Sequence, residues 1–214
     1  TPVVDRHAGA FDPGVAVALE DACMHVRRVG VVGERDAAPA GAADGELTVD
    51  LVALAARIVN ELPARVAARL ADPTHVKLVF GAIHAGDAAN VIPTHCELKA
   101  SIRTPSLPVW ERLADLVESE VVKIVGECGA VLEIDYTHGV PPVVNDSDVT
   151  ETVRRAAIDV VGAQSVTMVE QSWGGDDFAW FTREVPGTYV RLGVRDPAGP
   201  TLDLHAGHFD VDER

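Results

Sequence analysis

The chain's hydrophobic period changes repeatedly between residues 16 and 136, and the order of those changes limits the folds open to it. Residues 16–27, AVALEDACMHVR, read as a strand, with Ala22, Met24 and Val26 on one face and Cys23, His25 and Arg27 on the other. From Asp50 the period becomes helical through Leu51, Leu54, Ala55, Ile58, Leu62, Val66 and Leu70. Asp50 is suited to N-cap this run, because a carboxylate accepts from the free amides of the first turn. Pro63 lies inside the run and predicts a kink or a split. VKLVFGAI (76–83) is an apolar strand. CELKASIR (96–103) alternates, with Cys96, Leu98, Ala100 and Ile102 directed inward. Ser106 and Pro108 then open a second helix. Its stripe is Trp110, Leu113, Val117, Val121, Ile124 and Val125, and Gly126 and Gly129 end it. AVLEIDY (130–136) returns to strand.

The resulting order, β-α-β-β-α-β, is the split βαβ or ferredoxin-like pattern. It predicts a four-stranded antiparallel sheet with both helices on one face. Residues 30–49, rich in Gly, Ala, Pro and Asp, read as a loop, and 139–146 as a linker. Beyond it a helix at about 148–161, a strand at 165–170, a Gly-Gly turn, a helix at 177–183 and a strand at 188–193 form a second α/β portion. At about 75 residues that portion is marginal for a core of its own, so it is expected to dock on further structure.

Charge and cysteine content narrow the function. A net charge of −15 over 214 residues argues against nucleic-acid binding, which calls for a basic surface. Cys23, Cys96 and Cys128 are odd in number and lack C-x-x-C spacing, which speaks against a disulfide scaffold or a zinc ribbon. No apolar run approaches the ~20 residues of a membrane span. The N-terminal TPVVDRHAGAFDP has no basic segment followed by an apolar one. A cytoplasmic location without membrane association is the expectation.

Six segments then occur in a particular order: GAIHAGDAANVIP, ASIRT, VPPVVND, WGGDDFAWF, VPGTYVRLG and LHAGHFD. Together they resemble the M20 metallopeptidase family, and within it the amidohydrolases that cleave N-acyl amino acids. The likeness runs from about His7 to the end of the chain. It implies a ferredoxin-like lid and dimerisation domain (16–138), a remnant of the catalytic domain at 1–15, and the C-terminal part of a zinc-hydrolase α/β catalytic domain at 139–214.

The resemblance also implies roles. His205 in LHAGHFD matches a histidine that binds one metal, and His7 in DRHAGAFDPGVAV one that binds the other. The cofactor implied is a divalent metal: zinc, with manganese and cobalt as alternatives. Asn90 of NVIP and Arg103 of SIRT match groups that hold the substrate carboxylate. Gly174 and Gly175 match the backbone turn beneath the substrate, and Asp176 stands where the family has Glu. The implied partners are a small N-acyl amino acid or peptide substrate and a second copy of the chain, joined through the lid.

Departures accompany these matches. The family's His-x-Cys-Gly-His-Asp motif and its Glu-Glu pair, one of which is the general base, do not occur here. The lid's Gly-Gly-His is replaced by VGVVGERD at 29–36. A metal hydrolase needs a centre to acidify water and a carboxylate to take its proton. The residues therefore leave two readings: a metal-dependent amidohydrolase that this chain alone does not complete, and a non-catalytic dimerisation or binding module built on the same fold.

Overall fold

The computed structural model describes residues 49–126, 130–169, 171–196, 198–202 and 205–212, together with the backbone of strands β1 (Val15–Val17) and β2 (Ala22–Val32). The segment read as one strand over 16–27 therefore contributes to two, and these belong to different sheets. β2 also continues to Val32, into the stretch expected to be loop. Its register against its neighbours shifts between Val26 and Val29.

The chain divides into two compact units. The larger contains β2, helix α1 (Leu51–Ala67), β3 (Lys77–Ala85), β4 (His95–Thr104), α2 (Leu107–Trp110), α3 (Leu113–Val125) and β5 (Val131–Thr137). Its sheet runs β3-β4-β2-β5 with every neighbouring pair antiparallel, the arrangement the split βαβ order predicts. One cluster of buried side chains joins the helices to the sheet. Leu51, Leu54, Ala55, Ile58, Leu62 and Val66 come from α1; Cys96, Leu98, Ala100 and Ile102 from β4; and Leu113, Val117, Val121, Ile124 and Val125 from α3.

Local chemistry explains the helix ends. Asp50 Oδ1 accepts from the amides of Val52 and Ala53, both at 3.0 Å. α1 runs unbroken past Pro63. The ring removes one donor and crowds the preceding turn, but Leu62 and Val66 are buried on either side of it, and that burial holds the helix together. The second expected helix is divided instead. α2 ends at Trp110 and α3 begins at Leu113, and Ser106 makes no side-chain capping bond.

The smaller unit contains β1, α4 (Ser147–Val161), β6 (Val166–Met168), α5 (Phe178–Glu184) and β7 (Val190–Leu192). Its sheet order is β6-β1-β7, parallel between β1 and β6 and antiparallel between β1 and β7. Asp146 caps α4 through the amides of Asp148 and Val149. The segment expected to be a linker is tied down. Asn145 Oδ1 accepts from the Tyr189 amide at 2.7 Å, and its Nδ2 donates to the Tyr189 carbonyl at 3.1 Å. Among the described residues no helix is long and apolar enough to cross a membrane.

Candidate functional site

Arg103 lies near the end of β4, directly opposite Lys77 at the start of β3. The interior-facing neighbours on that strand, Leu98 and Ile102, are fully buried. Their packing fixes which face of β4 Arg103 presents, because side chains alternate along a strand. The half-buried Arg103 donates through Nη1 to the carbonyl of Trp173. The Lys77 ammonium stands 3.7 Å from the centroid of the Trp173 ring. Two side chains from adjacent strands thus hold one residue by its backbone and by its indole.

Trp173 is followed immediately by Gly174, Gly175 and Asp176. Residues 173–177 group with the larger unit, although Ser172 and Phe178 on either side of them belong to the smaller one. The structure therefore brings Arg103 to the start of the Gly-Gly segment, 70 residues on in sequence. The bend falls at Trp173 rather than at the Gly-Gly pair expected to turn, and neither Gly174 nor Gly175 has a positive φ. Asp176 is half-buried.

Asn90 is exposed in the loop that joins β3 to β4, a loop that begins at Gly86 with φ of 64°. It sits at the opposite end of the hairpin from Arg103. The seven-residue rise along β4 from Cys96 to Arg103 corresponds to about 23 Å at strand spacing. One copy of the chain does not bring Asn90 and Arg103 onto a single carboxylate.

His205 is exposed, on a turn of the smaller unit. His7 lies outside the described residues. Among the described residues no group of three or more His, Cys, Asp or Glu side chains is placed to hold a metal ion. They do not by themselves assemble the divalent-metal site that the resemblance implies.

Reading the sequence alone left Lys77 and Trp173 unassigned. The available signals were a lone cation heading an apolar strand, VKLVFGAI, and an aromatic residue directly before the Gly-Gly pair. Their contact has the geometry of a cation–π pair, which favours a large electron-rich ring such as indole.

The lid-like sheet, its split βαβ connectivity and the docking of the Gly-Gly segment at one end of it define a two-unit α/β protein. Residues 12–213 match the family model for peptidase family M20/M25/M40, and the chain belongs to that family. Over 168 residues it is 38% identical to a Rhodococcus jostii protein that bears the name glutamate–cysteine ligase 2-3, covering 78% of this chain and 21% of that one. It is 31% identical over 169 residues to thermostable carboxypeptidase 1 of Saccharolobus solfataricus, covering 78% of this chain and 42% of that relative. The dinuclear metal-binding M20 peptidase YXEP of Bacillus subtilis superposes with a TM-score of 0.67 at 21% identity, over 95% of this chain and 47% of that one, and shares the fold. The chain thus spans less than half the length of each of these relatives.

Proposed function

We propose that this chain supplies the substrate-gripping lid and the C-terminal catalytic portion of an M20-type hydrolase. Its substrates are the amide bonds of N-acyl amino acids or small peptides. The observation that carries this reading is the placement of Arg103. Its planar fork is suited to a substrate carboxylate, and it is fixed beside Gly174 and Gly175 by its bond to the Trp173 carbonyl. A carboxylate held by Arg103 would lie close to a backbone without side chains, where a small substrate can approach closely.

The hydrolysis adds water across the amide. The water oxygen bonds to the carbonyl carbon, the C–N bond breaks, and the departing nitrogen takes a proton. The described residues of this chain serve binding and orientation in that reaction. Kinship with a dinuclear metal-binding peptidase and with the N-acetyldiaminopimelate deacetylase of a Geobacillus supports a divalent metal and a small amide substrate. His205 and His7 are the proposed ligands from this chain.

A homodimer through the lid belongs to the same reading. Since Asn90 and Arg103 occupy opposite ends of one hairpin, both reach one substrate only if Asn90 comes from a second copy. β3 is an edge strand, and its Val79 and Ile83 are 63% and 50% exposed, so the lid has apolar surface available at that edge.

The test uses the natural polypeptide. Metal content, native mass and hydrolysis of N-acetyl amino acids are measured for the wild type and for N90A and R103A. Each variant is expected to lose activity, and mixing the two should restore part of it, because a mixed dimer regains one site with both residues intact. Absence of turnover and of stoichiometric metal in the wild type would reject the hydrolase reading. Absence of complementation would reject the shared site.

A further inference from the structure

Lys77 and Arg103 are immediate cross-strand partners. Like charges placed directly opposite one another on a sheet repel. The chain carries 33 acidic residues against 18 basic ones, so acids to balance such a pair are plentiful. Other cations of the same unit take them. Arg57 and Arg65 share Glu61, Lys99 pairs with Glu97, and Lys123 and Arg69 flank Glu120. Among the described residues neither Lys77 nor Arg103 has a carboxylate partner.

Among the described residues, what the two cations touch is neutral. Arg103 meets a carbonyl and Lys77 meets an indole face, both belonging to Trp173. A carbonyl and a π-face each offset part of a positive charge, but neither cancels it. Arg103 also retains donors beyond the one used on Trp173, and an ammonium presents three. Among the described residues, two formal positive charges thus stand side by side, next in sequence to Gly174 and Gly175. Their complement is a ligand with two negative charges at a similar spacing.

We propose that Lys77 and Arg103 form a two-point anion site that selects N-acyl amino acids bearing a second carboxylate on the side chain, the aspartate and glutamate class. This rests on the reading above, in which Arg103 receives the α-carboxylate. Lys77 then meets the side-chain carboxylate as a point charge. Both charged groups meet the same residue, Arg103 at the Trp173 carbonyl and Lys77 at its indole, so they lie within the span of one residue, which a four- or five-carbon dicarboxylate bridges. Lys77 is a specificity-determining residue here and takes no part in bond breaking. Trp173 gives the site a built-in reporter, because drawing the ammonium toward a ligand changes the field at its indole.

The test is a calorimetric titration of the natural polypeptide, with tryptophan fluorescence followed in parallel. The ligands are N-acetylglutamate, N-acetylaspartate and the near-isosteric N-acetylglutamine. The acidic ligands are expected to bind about fivefold tighter than the amide, the upper range for one exposed ion pair. That preference should shrink at high salt, disappear in K77Q and persist in K77R, with circular dichroism unchanged in both variants. Equal affinity for N-acetylglutamate and N-acetylglutamine, or a preference that survives in K77Q, would overturn the role of Lys77 and leave that of Arg103 intact. Binding of none of the ligands, or binding untouched by R103Q, would remove the carboxylate grip itself and the proposal with it.

Discussion

Glu120 offers a test of how charge is handled in the helical layer. Its side chain is only 5% exposed, on a face of α3 that otherwise carries Leu116, Val117 and Val121. Lys123 Nζ lies 2.5 Å from its Oε1, and Arg69 Nε lies 3.7 Å away. The two cations are 49% and 59% exposed, so water already solvates them and the burial penalty rests on the carboxylate. This asymmetry makes the two ends of the pair unequal under mutation. Lys123→Met keeps the aliphatic stem but leaves a buried carboxylate with its more distant partner alone. Breaking a buried pair costs roughly 3–5 kcal/mol, and the remaining Arg69 reduces this to about 2 kcal/mol. Glu120→Leu releases two solvated cations at a cost of about 0–1 kcal/mol. It gains about 1.5–3 kcal/mol of apolar burial, less about 1 kcal/mol for imperfect fit. The net expectation is neutral to about 1 kcal/mol more stable. Native-state hydrogen exchange of the α1 and α3 amides reports this unit separately. In the double variant the cost of Lys123→Met should vanish, giving a coupling of about 2 kcal/mol. A Glu120→Leu variant less stable than Lys123→Met would refute the premise that the buried carboxylate carries the cost.

Three further expectations follow from the same structure. Burial pushes the Tyr136 phenol above its usual value near 10, and burial likewise raises the Cys96 thiol. A group whose folded pKa is raised contributes stability that is complete below its unfolded pKa and is lost as pH rises past it. Thermal midpoints should therefore begin to fall above about pH 8.5, where an unfolded thiol ionises, and further above about pH 10, where an unfolded phenol does, and Tyr136→Phe should flatten the second part of that fall; an unchanged alkaline limb would contradict it. Asn145→Ala removes both bonds to Tyr189, at 2.7 and 3.1 Å, and should cost about 2 kcal/mol, read by hydrogen exchange across α4 and β7. Pro63→Ala restores a helical donor inside α1 and should stabilise the larger unit by about 1 kcal/mol in urea unfolding, whereas destabilisation would show that the ring sets the placement of Leu62 and Val66.

Glu120 also shows where sequence reading reaches its limit. The stripe read along α3 omits it, because periodicity assigns a charged residue to the solvent side, while its cation Arg69 arrives from beyond the end of another helix. β4 was legible because its rule is local: each inward position, Cys96, Leu98, Ala100 and Ile102, is fixed by the two residues beside it. The same holds for Asp50, whose capping partners are two and three residues away. β1 failed that test. A three-residue strand shows no period of its own, and its partners Val166–Met168 and Val190–Leu192 lie far along the chain. Arg103 falls between these cases. Its strand and its face could be read locally, but what it holds could not, since the Trp173 carbonyl is 70 residues distant and a backbone acceptor leaves no mark on composition. The same separation hid Lys77, which on its own strand looks like a solubilising edge lysine. Only the arrival of Trp173 over its ammonium sets it apart from one. Residues that build the sheet are thus set by their neighbours in sequence, whereas the contacts of Lys77 and Arg103 are set by Trp173, a residue far along the chain.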